Sequence, residues 1–131
     1  MKRHFFFSQY VCGTRCDKLP IGPDKPWLAP LAGYSDLPFR LLCREYGAAV
    51  CETEMVSAKG LLYKSPGTGD LLKNTSADHP LVVQLFGSSP SDLGEAVTTL
   101  GRNGYRWFDC NFGCSVPKVM RQGAGAALLQ D

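Results

Sequence analysis

At 131 residues the chain has room for a core of its own, yet falls well short of the about 250 residues that a closed eight-stranded parallel barrel needs. With 44% hydrophobic and 20% charged residues it is globular in composition, which excludes a disordered or fibrous chain. A formal charge of +2 permits a nucleic-acid partner without requiring one.

Residues 1–25 read as an irregular leader, punctuated by Pro20, Gly22 and Pro23. The opening MKRHFFFSQY is basic but holds only three consecutive Phe, against the roughly 7–15 apolar residues of a secretory signal. No run approaches the roughly 18 apolar residues of a membrane span. A cytoplasmic protein with no membrane partner is therefore expected, its six cysteines reduced. Cys12 and Cys16, with His4 nearby, match no common zinc spacing, so no metal site is predicted.

From Trp27 onward short apolar runs alternate with helical patterns, the signature of βα units around a parallel sheet. The first strand is predicted over 27–31, followed by a tight turn at Ala32 and Gly33 where backbone can approach a flat ligand. Ser35 or Asp36 caps a helix that tolerates Pro38 in its first turn, buries Leu37, Leu41, Leu42 and Tyr46, and stops at Gly47. A second strand over 49–53 leads into Glu54 and Met55. A short helical piece at 57–63, the loop SPGTGD and a turn at 70–73 follow. The third strand, 81–86, lies between Pro80 and Gly87. Ser89, Pro90 and Asp92 then start a helix whose Leu93, Ala96, Val97 and Leu100 share one face, and Asn103 and Gly104 end it. A fourth strand over 105–111 runs into NFGCSVPKV, residues 111–119. A helical turn is predicted at 116–120, then a flexible RQGAGA and the opening of a helix at 126–131.

Side-chain alternation along the strands places Trp107, Asp109 and Asn111 on one side and Phe108 and Cys110 on the other. Val82, Gln84 and Phe86 likewise share a side, opposite Leu81, Val83 and Leu85. Gln84 and Asn111 thus fall at corresponding points near two adjacent strand ends, with Glu54 closing the second strand. In a parallel α/β barrel this rim is where ligands are met. Glu54 reads as a structural partner of backbone or of a basic residue. Cys43, Cys51 and Cys110 read as packing residues, as an isolated Cys114 would.

Three segments, WLAPLAGYSDLPFRLLCREYG, TEMVSAKGL and NFGCSVPKV, make the chain resemble the flavin-dependent tRNA-dihydrouridine synthases over 27–131. The resemblance implies a partial TIM (β/α)8 barrel, with residues 26–131 as the first four βα units of an FMN-binding catalytic domain. It implies reduction of a specific uridine in tRNA to 5,6-dihydrouridine, with FMN as cofactor and NADPH as electron donor. Cys114 is implied as the proton donor. Ala29, Pro30, Leu31, Ala32, Gly33, Gln84 and Asn111 are implied to contact the flavin, and Asn111 also the substrate base. Lys118 and Arg121, just past the thiol loop, are placed to meet tRNA phosphates.

Two residues depart from the family pattern. Ser115 stands where proline is usual and removes a restraint on φ next to the thiol. Leu31 replaces a methionine of similar volume. Half a barrel on its own is expected to lack turnover and to associate through its open edge. Two other functions fit the same residues: an FMN barrel oxidoreductase on a free small molecule, like dihydroorotate dehydrogenase, or a non-catalytic remnant that binds RNA or a partner.

Overall fold

The computed structural model describes residues 18–130; His4, Cys12, Cys16 and Asp131 lie outside the described residues. Five strands form one parallel sheet: β1 (Trp27–Leu28), β2 (Val50–Glu52), β3 (Val56–Ser57), β4 (Leu81–Phe86) and β5 (Trp107–Cys110). β2 pairs with the start of β4 and β3 with its end, while β5 pairs along the other edge of β4. β2 and β3 are therefore two pieces of one barrel strand, interrupted at Thr53, Glu54 and Met55. The spatial order β1, β2/β3, β4, β5 follows the chain, as in the first four strands of a (β/α)8 barrel. The sheet is open.

At the interruption Thr53 keeps the ladder intact by other means. Its N–H donates to the Val82 carbonyl at 3.0 Å, and its Oγ1 accepts from the Gln84 N–H at 3.2 Å. The predicted strand thus splits in two because side-chain and backbone bonds substitute for regular pairing at one point.

The helices begin where capping chemistry places them. Asp36 caps α1 (Leu37–Glu45) by accepting from the Phe39 N–H at 3.0 Å. Ser57 caps α2 (Ala58–Leu62), which is followed by the single turn α3 (Thr68–Leu71). Ser89 caps α4 (Pro90–Arg102), with Pro90 and Asp92 in its first turn. Pro117 opens α5 (Pro117–Met120), and a 3₁₀ helix over Gly125–Gln130 closes the described chain.

The core lies between the sheet and α2 and α4. Val56, Ala58, Val83, Leu85, Ala96 and Leu100 are buried there, with Leu93, Val97 and Phe108 packed against them. The alternation predicted for β4 and β5 thus holds: Val83, Leu85 and Phe108 face the helices. Burial of each such side chain contributes about 1.5–3 kcal/mol, enough to fix which face turns in.

The structure corrects three expectations. On α1, Leu42 and Tyr46 are exposed, Tyr46 by 85%, and Arg40 is buried in their stead. Arg40 Nε and Nη2 donate to Asp78 Oδ2 at 2.9 and 2.8 Å, Nη1 to the Ser35 carbonyl at 2.7 Å and Nη2 also to the Lys73 carbonyl at 2.6 Å. Arg44 lies beside the same carboxylate, its Nε 3.9 Å from Asp78 Oδ1. The helix turns a charged stripe inward because a buried acid and carbonyls satisfy it.

The RQGAGA segment, expected to be flexible, is packed: Ala124 and Gly125 are buried, and the Ala126 N–H donates to the Cys114 carbonyl at 3.0 Å. The terminal helical stretch winds as 3₁₀ rather than α. Its left-handed start at Gly123 and Gly125, with φ +69° and +62°, sets that path.

Candidate active site

The carboxyl ends of β1, β2/β3, β4 and β5 bring together the segments singled out by sequence. In the first loop, Leu31 N–H donates to Ser35 Oγ at 2.9 Å, and the N–H groups of Tyr34 and Ser35 donate to the Leu31 carbonyl at 2.9 Å each. Ser35 is buried and Gly33 takes φ +80°, so the turn over Leu31, Ala32 and Gly33 is self-consistent and presented outward. Pro30 is half-buried and Ala29 exposed at its base. Space beside Gly33 is open. A flat ring laid there meets chain faces and carbonyls, because the Gly33 N–H is already taken by Glu54 Oε2 at 2.5 Å. Glu54 is thus the backbone partner that its position predicted.

On β4 and β5 the inward side chains form a continuous hydrogen-bonded chain. Gln84 and Asp109 are in register, and Gln84 Nε2 donates to Asp109 Oδ2 at 2.6 Å. Asn111 Nδ2 donates to Gln84 Oε1 and to Met55 Sδ, both at 3.0 Å. Asn111 Oδ1 accepts from the backbone N–H groups of Gly113 at 3.1 Å and Cys114 at 2.8 Å. The asparagine therefore folds the thiol loop back over its own side chain, an Asx-type turn. Gln84 and Asn111 do meet on the side that parity gives them, but diagonally: the residue in register with Gln84 is Asp109, and Cys114 is tied to Asn111 through its N–H.

From its far side Gly125 closes on the same loop. A Cβ there would lie 2.5 Å from the Cys114 carbonyl oxygen and 3.1 Å from its Cβ, so only glycine fits. Cys114 itself is half-buried. Lys118, in α5, and Arg121, just after it, are exposed beside the loop and take no part in the amide chain.

Two residues of the site escaped the sequence reading. Alternation puts Asp109 on the inward side without assigning it a role, and its carboxylate anchors Gln84. Glu52 is in register with Val82, which pairs with Trp107, and so shares the inward face. Its Oε2 is buried without a hydrogen-bond partner. Burial first, and then the Asp109 charge, push the Glu52 carboxyl up to about 7. The two-residue spacing of Glu52 and Glu54 was the available signal, since alternation puts both on one side. Cys110 faces away; burial first, then Asp109, pushes its thiol up. Among the described residues no group of three His, Cys, Asp or Glu is placed to hold a metal ion, and no helix is long and apolar enough to cross a membrane.

The family model for dihydrouridine synthases matches residues 27–131. The chain belongs to the dihydrouridine synthase family. Among its relatives, a probable tRNA-dihydrouridine synthase of Helicobacter pylori is 40% identical over 114 residues, covering 82% of this chain and 34% of that protein. The tRNA-dihydrouridine synthase B of Pseudomonas aeruginosa is 39% identical over 109 residues, covering 83% and 33%. A probable tRNA-dihydrouridine synthase of Aquifex aeolicus is 40% identical over 104 residues, covering 79% and 33%. The chain spans about one third of the length of the curated relatives it matches. The family match covers all the strand ends described above. Ser115 is exposed between Cys114 and Val116.

Proposed function

We propose that residues 26–131 supply part of the catalytic barrel of an enzyme that reduces a specific uridine in tRNA to 5,6-dihydrouridine. The observation that carries this reading is the chain of contacts from Asp109 through Gln84 and Asn111 to the backbone of Cys114, at the strand ends matched by the family. The names of the relatives favour tRNA over a free small molecule as substrate.

The residues present suit FMN. The turn over Ala29, Pro30, Leu31, Ala32 and Gly33 offers an open, flat approach, and Gln84, held by Asn111, keeps one Nε2 hydrogen for the edge of a ring. Bound FMN, with NADPH as the source of electrons, supplies the hydride that no side chain can donate. The chain's own task is the proton. Saturating the uracil double bond places a hydride on one alkene carbon and a proton on the other, and Cys114 Sγ is the acid that gives it. Asn111 orients the thiol loop, and it meets the base by exchanging its weak contact with Met55 Sδ for one with the ring. Lys118 and Arg121 meet tRNA phosphates, a sequence-independent contact that holds the substrate at the mouth. The uridine enters unstacked, since its reacting face is covered within a stack.

By themselves these 131 residues are expected to show no turnover. The decisive experiment uses the complete enzyme. Cys114→Ala should lower dihydrouridine formation by about 10²-fold or more, in the range of a lost general acid, while flavin absorbance stays with the protein. Near-normal turnover would remove the thiol from this role.

A further inference from the structure

Asp109 lies outside the motif residues and contacts neither the loop of Cys114 nor the turn at Gly33. Yet it stands at the head of a route along which side-chain bonds run from the sheet through Gln84 and Asn111 to the thiol loop, a second and weaker link reaching Asn111 from Met55 Sδ. A carboxylate can only accept hydrogen bonds, whereas an amide offers a donor at one end and an acceptor at the other. With Asp109 Oδ2 at 2.6 Å, the nitrogen end of Gln84 must face it. Gln84 Oε1 is then turned to Asn111 and requires the nitrogen end of that amide, at 3.0 Å. Asn111 Oδ1 is thereby left for the N–H groups of Gly113 and Cys114. Turning either amide over would set donor against donor or acceptor against acceptor.

We propose that Asp109 is a positioning residue: its carboxylate sets the direction of both amides and through them holds the backbone of Gly113 and Cys114, so that the thiol loop is aimed from the sheet. This deepens the reading of Cys114 as proton donor and rests on it for its catalytic meaning. The packing gives the device its firmness. Asp109 and Gln84 are in register on adjacent parallel strands, and Gln84 is 5% exposed, so neither end of the first link can drift. Where the family's proline would restrain the loop just past the thiol, this chain has Ser115, which leaves more of the aiming to the asparagine. The same hydrogen bonds also decide what Gln84 presents to a ring at the mouth: its oxygen is committed, and the free hydrogen on Nε2 is the group it can still offer.

The test needs no flavin and no turnover. Site-resolved alkylation by iodoacetamide, read by mass spectrometry on the 131-residue chain, follows Cys114 against Cys51, which is fully buried and serves as an internal reference for general loosening. In Asp109→Asn the charge is lost and the side chain can face Gln84 with either end, so alkylation of Cys114 should rise about five- to tenfold, the effect of losing one charge-assisted hydrogen bond, with Cys51 unchanged. Gln84→Met, which removes the middle link, should do the same, and Asp109→Glu, which keeps an acceptor, should restore slow alkylation. In amide NMR the Nε2 protons of Gln84 should shift in Asp109→Asn and return in Asp109→Glu. An unchanged Cys114 rate, or Cys114 and Cys51 rising together, overturns the proposal. Failure here leaves the flavin-dependent reading standing, and normal turnover of Cys114→Ala would leave this one standing.

Discussion

Glu52 is the residue whose chemistry is least expected from its surroundings. It projects from the last residue of β2 onto the inward face with one oxygen buried and unpartnered, and its carboxyl holds a proton up to about pH 7 against an ordinary value of 4.5. Between these values the folded chain binds a proton that the unfolded chain has released. Its contribution to stability therefore falls as pH rises from about 4.5 to about 7 and stays low above that. Glu52→Gln should remove this slope and stabilise the chain at pH 8 by about 1–2 kcal/mol, after discounting for partial contact with water. Urea denaturation of both forms at pH 5 and pH 8 checks it. A wild-type chain equally stable relative to the variant at both values would contradict the assignment. The groups facing Glu52 were only partly legible in the sequence. Alternation found Gln84, Asp109 and Asn111 on one side, because a period of two needs only the chain itself. That Asp109 would bind Gln84 depended on register between two strands, which no local pattern encodes.

Among the elements, α1 shows where pattern reading fails. Apolar spacing favoured a face with Leu42 and Tyr46, and the folded helix turned Arg40 and Arg44 inward instead. The acid that hydrogen-bonds Arg40 and lies beside Arg44, Asp78, sits 38 residues beyond Arg40, in a 3₁₀ turn with no pattern to mark it. Hydrophobic periodicity assumes that charge faces water, and one buried partner cancels that assumption. α4 had no such competitor, and its cap, first-turn proline and buried face all stand as read. Arg40→Met should cost about 3–5 kcal/mol in urea unfolding, since Asp78 is left without its main partner. Combining it with Asp78→Leu should recover most of the loss, because the penalty lies in the orphaned charge. If the single variant were neutral, Arg40 would have no role in holding Ser35 and the first loop in place.

For the molecule as a whole, the open sheet sets the behaviour. β1 and β5 each have only one strand partner among the described residues, and an unpaired strand edge is a template for another chain. The 131-residue chain should therefore gain apparent mass with concentration in light scattering; a monomer at every concentration would show that its edges are protected. The parallel order and the placing of the mouth at the strand ends were legible from the alternation of strand and helix patterns. The splitting of the second strand was not, because Thr53 replaces regular pairing by one backbone and one side-chain bond to β4.

That split has a consequence for how the rim holds its shape. In an unbroken pleat, neighbours on a strand point to opposite sides, and one of any two is spent on the helix layer. Released from the pleat, Glu54 and Met55 are both free for the rim, and they reach in opposite lateral directions: Glu54 to the amide of Gly33 beyond β1, Met55 to the amide of Asn111 beyond β5. Two consecutive side chains thus brace the left and right flanks of the opening like a tie-beam, and a change in length at this one place would slacken both at once.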